Sequence, residues 1–476
     1  MYRILFFVCL SSSFFAQDNF LKAFGGANND FGRGVVQTFD KGYAIIGITS
    51  SFGGVTDAYL IKTDSVGTMQ WQKNIGGFNV DVGNEIIQTP DSGFAFVGHT
   101  SSIGNGAYDF YLVKTDKNGN TQWSRAYGGS SWDFGYSLAA TSDGGYALVG
   151  KTYSFGNGNA DIYFVKTDAN GDTLFTKFFG KGNEEQANSV VATSDGGYFI
   201  SGFSKSFSGS TSQFYYLKLD ANGNDLWKKN WGGSGENIIS QALQTPDGGY
   251  AMIGTYSNPL TNGKKGSMLI KLNASGDTLW TRSEVKVNET FTGNSVCLNA
   301  KGGYTWVGIA DFDPYFGIDV NLHEVDGNGD DFSGTTSVIK GENDTDIPYA
   351  VKLTSDSGYI VVGETNSEGA GGYDVFLLKF NKQLQAPAYS LLSVGEQNKV
   401  EAVLVYPSPA TSIINFSGKD LIGTYSIAIY SVLGELVSVT DNKPTVELSS
   451  LPAGLYNFQV FNSTKGTSSF GKFIKE

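Results

Sequence analysis

Cysteine and histidine are almost missing from this chain: its 476 residues hold 2 Cys and 2 His. Cys9 lies in an apolar leader, so no disulfide framework can hold the protein together. Cys297, at a strand position where the first repeat has Val36, reads as a small core residue. His99 and His323 fall in different repeats without neighbouring ligands, which excludes a histidine-rich zinc site or a Ser/His triad, and each reads as an ordinary strand or loop residue. Arginine is scarce as well. Past the leader only Arg33, Arg125 and Arg282 remain, and the last two fall on predicted outer strands, so they cannot converge on one carboxylate. No later apolar run is long enough to cross a membrane as a helix, and an integral membrane protein is not expected. Basic residues are outnumbered, 33 Lys+Arg against 46 Asp+Glu for a net charge of -13, and such an acidic surface argues against nucleic acid or an anionic membrane as partner. No glycine-rich loop opens a helix to hold phosphate, because the glycines sit in hairpins.

What the sequence has instead is repetition. An aromatic residue follows a glycine-containing turn at Tyr43, Phe94, Tyr146, Tyr198, Tyr250, Tyr304 and Tyr359, at spacings of 51, 52, 52, 52, 54 and 55 residues. Self-similarity at that period marks one supersecondary unit used seven times. The third copy shows its parts. A short strand over 136–141 leads through the turn Ser142-Asp143-Gly144-Gly145 to an apolar strand over 146–149, and a Ser/Gly/Asn loop leads to a strand over 162–167. The turn Asp168-Ala169-Asn170-Gly171 then opens a last strand over 174–179. Glycine supplies the positive φ that such hairpins need. Four short strands per copy, bounded by Gly/Asn/Asp clusters, predict an all-β chain with a seven-bladed β-propeller of four-stranded blades over 17–382.

One aromatic position tells how the ring closes. Trp71, Trp123 and Trp227 each stand seven residues after a turn aspartate, at Asp64, Asp116 and Asp220, and six before a glycine, at Gly77, Gly129 and Gly233. Phe20 stands six before Gly26, whereas nothing aromatic lies seven after Asn381. Phe20 to Phe24 is therefore expected to be the outer strand of the last blade, which removes an exposed strand edge and holds the ring shut.

The two ends of the chain read differently. Residues 1–16 carry Arg3, an apolar core from Ile4 to Leu10 and Ala16 before Gln17, the pattern of a cleaved signal peptide on a secreted protein. Residues 383–400 read as a polar linker. From Glu401 the period stops, and alternating strands over 412–416, 425–430, 435–439, 445–448, 454–461 and 468–474 predict a small immunoglobulin-like β-sandwich over 401–476. Four segments of it, Val405-Tyr406-Pro407-Ser408-Pro409-Ala410, Ile429-Tyr430-Ser431-Val432-Leu433-Gly434-Glu435-Leu436-Val437, Leu451-Pro452-Ala453-Gly454-Leu455-Tyr456 and Gly471-Lys472-Phe473-Ile474-Lys475, follow a fixed order. In these the sequence resembles the type A C-terminal sorting domain of the type IX, or Por, secretion system; Ser408 stands where that family more often has Asn. The resemblance implies an itinerary rather than a reaction. The signal peptide would take the chain across the inner membrane, residues 401–476 would engage the type IX machinery at the outer membrane, and the product would be secreted or attached to the outer-membrane surface.

The repeats must then carry the function. Asp30, Asp81, Asp133 and Asp346 occupy the loop entering the first strand of their copies, and Asp57, Asp109, Asp161 and Asp374 the loop entering the third; both loops are expected on one face. Those four copies have both acids, while copy four has Glu185 with Gln213, copy five Asn237 with Ser267 and copy six Phe291 with Asp319. Short acidic side chains in turns accept backbone N–H bonds. Paired with loop carbonyls they also suit Ca²⁺ or the hydroxyls of a glycan, and these eight aspartates are the candidate ligand or Ca²⁺ site. The turn Asp168 to Asp172 lacks the further ligands and bidentate Glu of a calcium loop and reads as a hairpin. No catalytic residue stands out and no cofactor is expected. The expectation is a secreted or surface-displayed, non-catalytic module that binds a glycan or a protein at its loop-rich face. A glycan-active hydrolase or lyase with channel-facing carboxylates, and a structural surface-layer component, are the alternatives.

Overall fold

A computed structural model describes residues 19–53, 55–207, 211–233, 235–257, 263–286, 288–311, 317–333, 337–340, 344–386, 404–407, 409–418, 421–431, 436–462, 464 and 467–476. The expected signal peptide over 1–16 and most of the 383–400 linker lie outside them. Among the described residues the regular structure is β, and no helix is long and apolar enough to cross a membrane. The chain divides into two compact units, Met1–Tyr389 and Ser390–Glu476.

The third repeat shows how the local sequence builds a sheet. Asp133–Ala140, Tyr146–Thr152, Asp161–Thr167 and Thr173–Phe179 pair antiparallel in chain order. Gly144, at φ +83°, closes the first hairpin, and Asp143 Oδ1 accepts the Gly145 N–H at 3.0 Å. Asp168 caps the last one: its Oδ1 accepts the N–H groups of Asn170 and Asp172 at 2.8 and 2.9 Å, so this turn uses its own carboxylate.

Four more sheets repeat this order, beginning at Asp30, Asp81, Glu185 and Asn237. In the sixth the inner strand is broken into Thr290–Phe291 and Ser295–Leu298, both paired with Tyr304–Asp311. The seventh takes its fourth strand from the other end of the unit. Phe20–Phe24 pairs antiparallel with Asp374–Phe380, from Phe20 opposite Lys379 to Phe24 opposite Val375, as the spacing of Phe20 before Gly26 predicts. The Asn381 turn forms at the usual place, its Oδ1 accepting from the N–H groups of Gln383 and Gln385, but Leu384 then packs into the core, where the other repeats begin a fourth strand.

Each sheet is covered on both faces, which is why Asp57–Thr63, Asp109–Thr115 and Asp161–Thr167 are buried at every position. Seven clusters of buried side chains join the sheets in pairs. Val149 and Phe164 of the third meet Ile200 and Leu217 of the fourth, and Ile360 and Leu377 of the seventh meet Ile45 and Ile61 of the first. Following the clusters from the first sheet leads back to it, although no single sheet closes on itself; the fold is β-propeller-like. The seven register aromatics are all buried in these interfaces. Trp71, Trp123, Trp227 and Trp280 each reach the register aromatic of the following repeat at 5.7–6.3 Å, and Phe20 reaches Tyr43 at 5.9 Å. The N-terminal strand thus gives the first sheet the packing that a tryptophan gives the others.

A buried lysine also recurs. Lys62, Lys114, Lys166, Lys218, Lys271 and Lys379, with side chains only 3–9 % exposed, meet the turn aspartates Asp40, Asp91, Asp143, Asp195, Asp247 and Asp356 at 2.7–3.0 Å. In the sixth repeat the charges trade places: Glu324 stands in the strand and Lys301 in the turn.

In the second unit Leu404–Tyr406, Ile413–Ser417 and Thr445–Glu447 form one sheet, and Leu436–Asp441, Tyr425–Ser431, Gly454–Asn462 and Thr467–Lys475 another. Both contribute to one core, with Ile414 and Phe416 from the first and Ile427, Phe458 and Phe473 from the second.

Candidate functional site

Six inner strands are eight residues long and share one irregularity. Their register breaks at Gly32/Gly34, Gly83/Glu85, Gly135/Ser137, Ala187/Ser189, Ile239/Gln241 and Pro348/Ala350, and in the sixth repeat the same place splits the strand. A bulge leaves one residue out of the ladder and re-aims its side chain. Here those residues are Arg33, Asn84, Tyr136, Asn188, Ser240, Asn294 and Tyr349, and all seven line one cavity of about 450 Å³.

At five of the seven positions the residue after the bulge fastens one sheet to the next. Glu85 Oε2 accepts the Leu138 N–H at 2.9 Å, Ser137 Oγ the Val190 N–H at 3.1 Å and Ser189 Oγ the Ala242 N–H at 3.1 Å. Gln241 Oε1 accepts from Val296 at 2.8 Å and Ser295 Oγ from Val351 at 3.0 Å. Asn84, Asn188 and Asn294 add bonds to the carbonyls of Gly135, Ile239 and Pro348, each at 2.7 Å. The Arg33 guanidinium lies 3.9 Å over the Tyr349 ring, with Glu364 Oε2 3.7 Å away, beyond hydrogen-bond distance. His99 packs edge-on against Tyr108 and Phe134, and burial pushes it down to about 4, so it is uncharged near neutral pH. The polar part of the wall is therefore amide, hydroxyl, phenol, the His99 imidazole and two cations, Arg33 and Lys352, set among Val35, Ile48, Val82 and Ile86, and Glu85 is the one acid among the lining residues.

The eight sequence-predicted aspartates lie elsewhere, at the starts of inner and third strands, where they are at most 6 % exposed. Each is tied to its surroundings by hydrogen bonds. Oδ2 of Asp30, Asp81 and Asp133 accepts the N–H of Gly26, Gly77 and Gly129 and the hydroxyl of Ser51, Ser102 and Ser154, all at 2.6–2.8 Å, and Asp346 Oδ2 accepts from Ser367 Oγ at 3.1 Å. Asp109 accepts from the N–H groups of Asn105 and Gly106, Asp161 from those of Asn157 and Gly158, Asp374 from that of Ala370, and Asp57 from Asn74 Nδ2.

The acids do meet in pairs, but across a sheet junction rather than within one repeat. A Cβ built on Gly128 would stand 1.9 Å from Asp109 Oδ1 and 2.5 Å from Asp133 Oδ2; Gly25 is enclosed in the same way by Asp374 and Asp30, and Gly76 by Asp57 and Asp81. This pairing accounts for the replacements. Asp161 faces Glu185 at Gly180, while Gln213 and Asn237, both neutral, face each other at Gly232. Burial, with the facing carboxylate adding to it, holds Asp109, Asp161 and Asp374 above the ordinary carboxylate range despite the N–H bonds that pull them down. Asp319, half-buried and repelled by Asp346, is pushed up to about 6. Among the described residues no group of three or more His, Cys, Asp or Glu is arranged to hold a metal ion.

In the second unit the four sequence motifs fall on or beside its strands; Ser408 and residues 432–435 are outside the described set. Residues 404–476 match the family model of the secretion system C-terminal sorting domain, Por_Secre_tail. They are a type IX sorting domain. The sorting domain implies export and secretion or cell-surface attachment, with the type IX machinery as partner. No curated protein matches the chain in sequence. Among solved structures, the extracellular domain of a hybrid two-component system of B. thetaiotaomicron is similar at 11 % identity and TM-score 0.40, over 94 % of this chain and 55 % of that one. PorZ, a surface component of the type IX secretion system of Porphyromonas gingivalis, is similar at 12 % identity and TM-score 0.42, over 91 % of this chain and 58 % of that one. Sqt1 of Chaetomium thermophilum is similar at 10 % identity and TM-score 0.42, over 72 % and 82 %. The chain thus spans little more than half the length of the first two, and likenesses at this level carry no argument about activity or ligand.

Proposed function

We propose that this chain is a non-catalytic binding protein displayed at or released from the cell surface, with a signal peptide over 1–16, a seven-bladed β-propeller over 17–382, a linker over 383–400 and an immunoglobulin-like sorting domain over 401–476. The seven inter-sheet cores and the last sheet's borrowed strand support the ring. The ligand is a glycan or a protein, held in the central cavity. The observation that carries this is the cavity wall, where the bulged residues present amide, hydroxyl and phenol groups of the kind that fix a polar ligand's orientation. A glycoside hydrolase works with a pair of carboxylates about the scissile bond, and Glu85 alone, bonded to Leu138, is poorly placed for that role. The test is a glycan array probed with the full chain and with Tyr136→Ala. A hit lost in the variant supports the reading, whereas a folded protein that is silent on the array, binds no surface protein and self-associates points to a structural surface-layer role.

A second reading concerns the acid junctions. Oδ1 of Asp30, Asp109, Asp133 and Asp374 is buried without a hydrogen-bond partner, which favours Ca²⁺ between Asp109 and Asp133 and between Asp374 and Asp30. Thermal unfolding in CaCl2 and in EGTA decides it: equal midpoints reject the metal.

A further inference from the structure

The ring of fastenings around the cavity has a gap. At five junctions a side chain accepts the N–H of Leu138, Val190, Ala242, Val296 or Val351. At the two remaining junctions the counterparts are Val35 and Ile86, and the positions that should supply the acceptor hold Ala350 and Gly34, which have none. The bulges at Gly32/Gly34 and Gly83/Glu85 give Val35 and Ile86 the same register as the other five, so their N–H groups also point off the inner edge of the sheet. The two junctions are neighbours, between the seventh and first sheets and between the first and second. Val35 and Ile86 line the cavity, and none of their five fastened counterparts does.

The cavity's one arginine is at this gap. Arg33 precedes Gly34 in the bulge and lies over the Tyr349 ring, and Lys352 lines the same wall. Of the two nearby acids, Glu85 is bonded to Leu138, and Glu364 forms an ion pair with Arg33 at 3.7 Å, too long for a hydrogen bond, so the guanidinium N–H donors are not taken by it. A polar group that is out of water and without a partner is costly, and an N–H group beside a guanidinium is a receptor for a planar anion; Arg33, lying over Tyr349 of the seventh sheet, is on the side of the junction that the Val35 N–H faces.

We propose that the seventh/first junction of this gap is a subsite for a carboxylate on the ligand, taken by Arg33 and the N–H group of Val35. The proposal rests on the reading of the cavity as the binding site and specifies one end of what binds there. The same carboxylate chemistry could be offered by an acidic sugar or by the C-terminus of a peptide.

Calorimetry on the full chain tests it with D-glucuronate and N-acetyl-alanine as the two sources and D-glucose as the neutral control. Ala350→Ser puts a hydroxyl where Ser137, Ser189 and Ser295 have theirs, so it is expected to fold with an unchanged or higher Tm while fastening Val35. Both Ala350→Ser and Arg33→Met are expected to weaken carboxylate binding by about tenfold or more, since a hydrogen bond to a charged group is lost in each. The better of the two carboxylates names the source. Failure of the wild-type protein to bind either carboxylate overturns the subsite, as does binding that Ala350→Ser and Arg33→Met leave unchanged. A carboxylate-free array ligand lost on Tyr136→Ala, with neither acid bound, overturns the subsite while leaving the cavity as the binding site.

Discussion

The Asp143–Lys166 pair should respond very unequally to loss of its two partners. The Lys166 ammonium is 3 % exposed and donates to Asp143 Oδ1 and Oδ2 at 3.0 and 2.8 Å and to Thr167 O at 2.7 Å, whereas the Asp143 side chain is 53 % exposed. Asp143→Ala leaves a buried cation with one backbone acceptor and also removes the turn bonds to Thr141 Oγ1 and the Gly145 N–H. Breaking a buried pair from this side costs about 3–5 kcal/mol, and the lower end applies because water can enter the space the carboxylate leaves. Lys166→Met leaves only a half-exposed carboxylate that water solvates, for about 1 kcal/mol or less. Lys166→Glu alone should be worse than Lys166→Met, and adding Asp143→Lys should recover most of the loss, because the sixth repeat already uses that arrangement in Lys301 and Glu324. Urea unfolding of the four variants measures these differences. A Lys166→Met loss as large as that of Asp143→Ala, or no recovery in the double swap, refutes the reasoning. The pair also sets a pH limit. Burial raises Asp143, but Lys166, Thr141 and the Gly145 N–H outweigh it and hold the carboxyl at about 2, so its contribution is present above the unfolded value of 3.8 and is lost as pH falls toward 2.

Gly128→Ala drives a Cβ into Asp109 and Asp133 and is expected to cost about 3 kcal/mol, while Gly182→Ala, with nothing within 4 Å, should stay within about 0.5 kcal/mol; thermal unfolding of both compares them directly. Asp319 is raised to about 6, above its unfolded 3.8, so its effect runs opposite to that of Asp143: stability is greatest below 3.8 and declines as pH rises through 6. Asp319→Asn should flatten that decline, and a melting temperature with the same slope as the wild type between pH 4 and 7 would count against the pairing with Asp346.

The repeats were legible because their marker is structural. A tyrosine or phenylalanine after each turn is buried between two sheets, so its spacing reports the period, and Phe20 is legible as the missing outer aromatic because it fills a tryptophan's place. The acids were legible in position but not in partnership. Asp57 and Asp81 belong to consecutive repeats, and only the packing of one sheet on the next shows that they enclose the same glycine. The cavity was not legible. Alternation puts the third repeat's first strand at 136–141, but it runs from Asp133 to Ala140, because a bulge at Tyr136 interrupts the alternation that marks a strand. The available signal was the small residue before four of the six bulges, Gly32, Gly83, Gly135 and Ala187, in a strand one residue longer than its neighbours. In the second unit six strands were placed within two residues, and Leu404–Tyr406, hidden in the Val-Tyr-Pro motif, was missed.

The pairing of Phe20–Phe24 with Asp374–Phe380 gives assembly an order in time. The strand made first in this unit is the one that must wait longest, because its partner is the unit's last strand and the loop between them is nearly the whole unit; such distant contacts form late. Until then the molecule has a loose leading strand and an open trailing sheet. Any chain cut short before residue 374 keeps both, and so carries a built-in mark of incompleteness for proteases and chaperones to read.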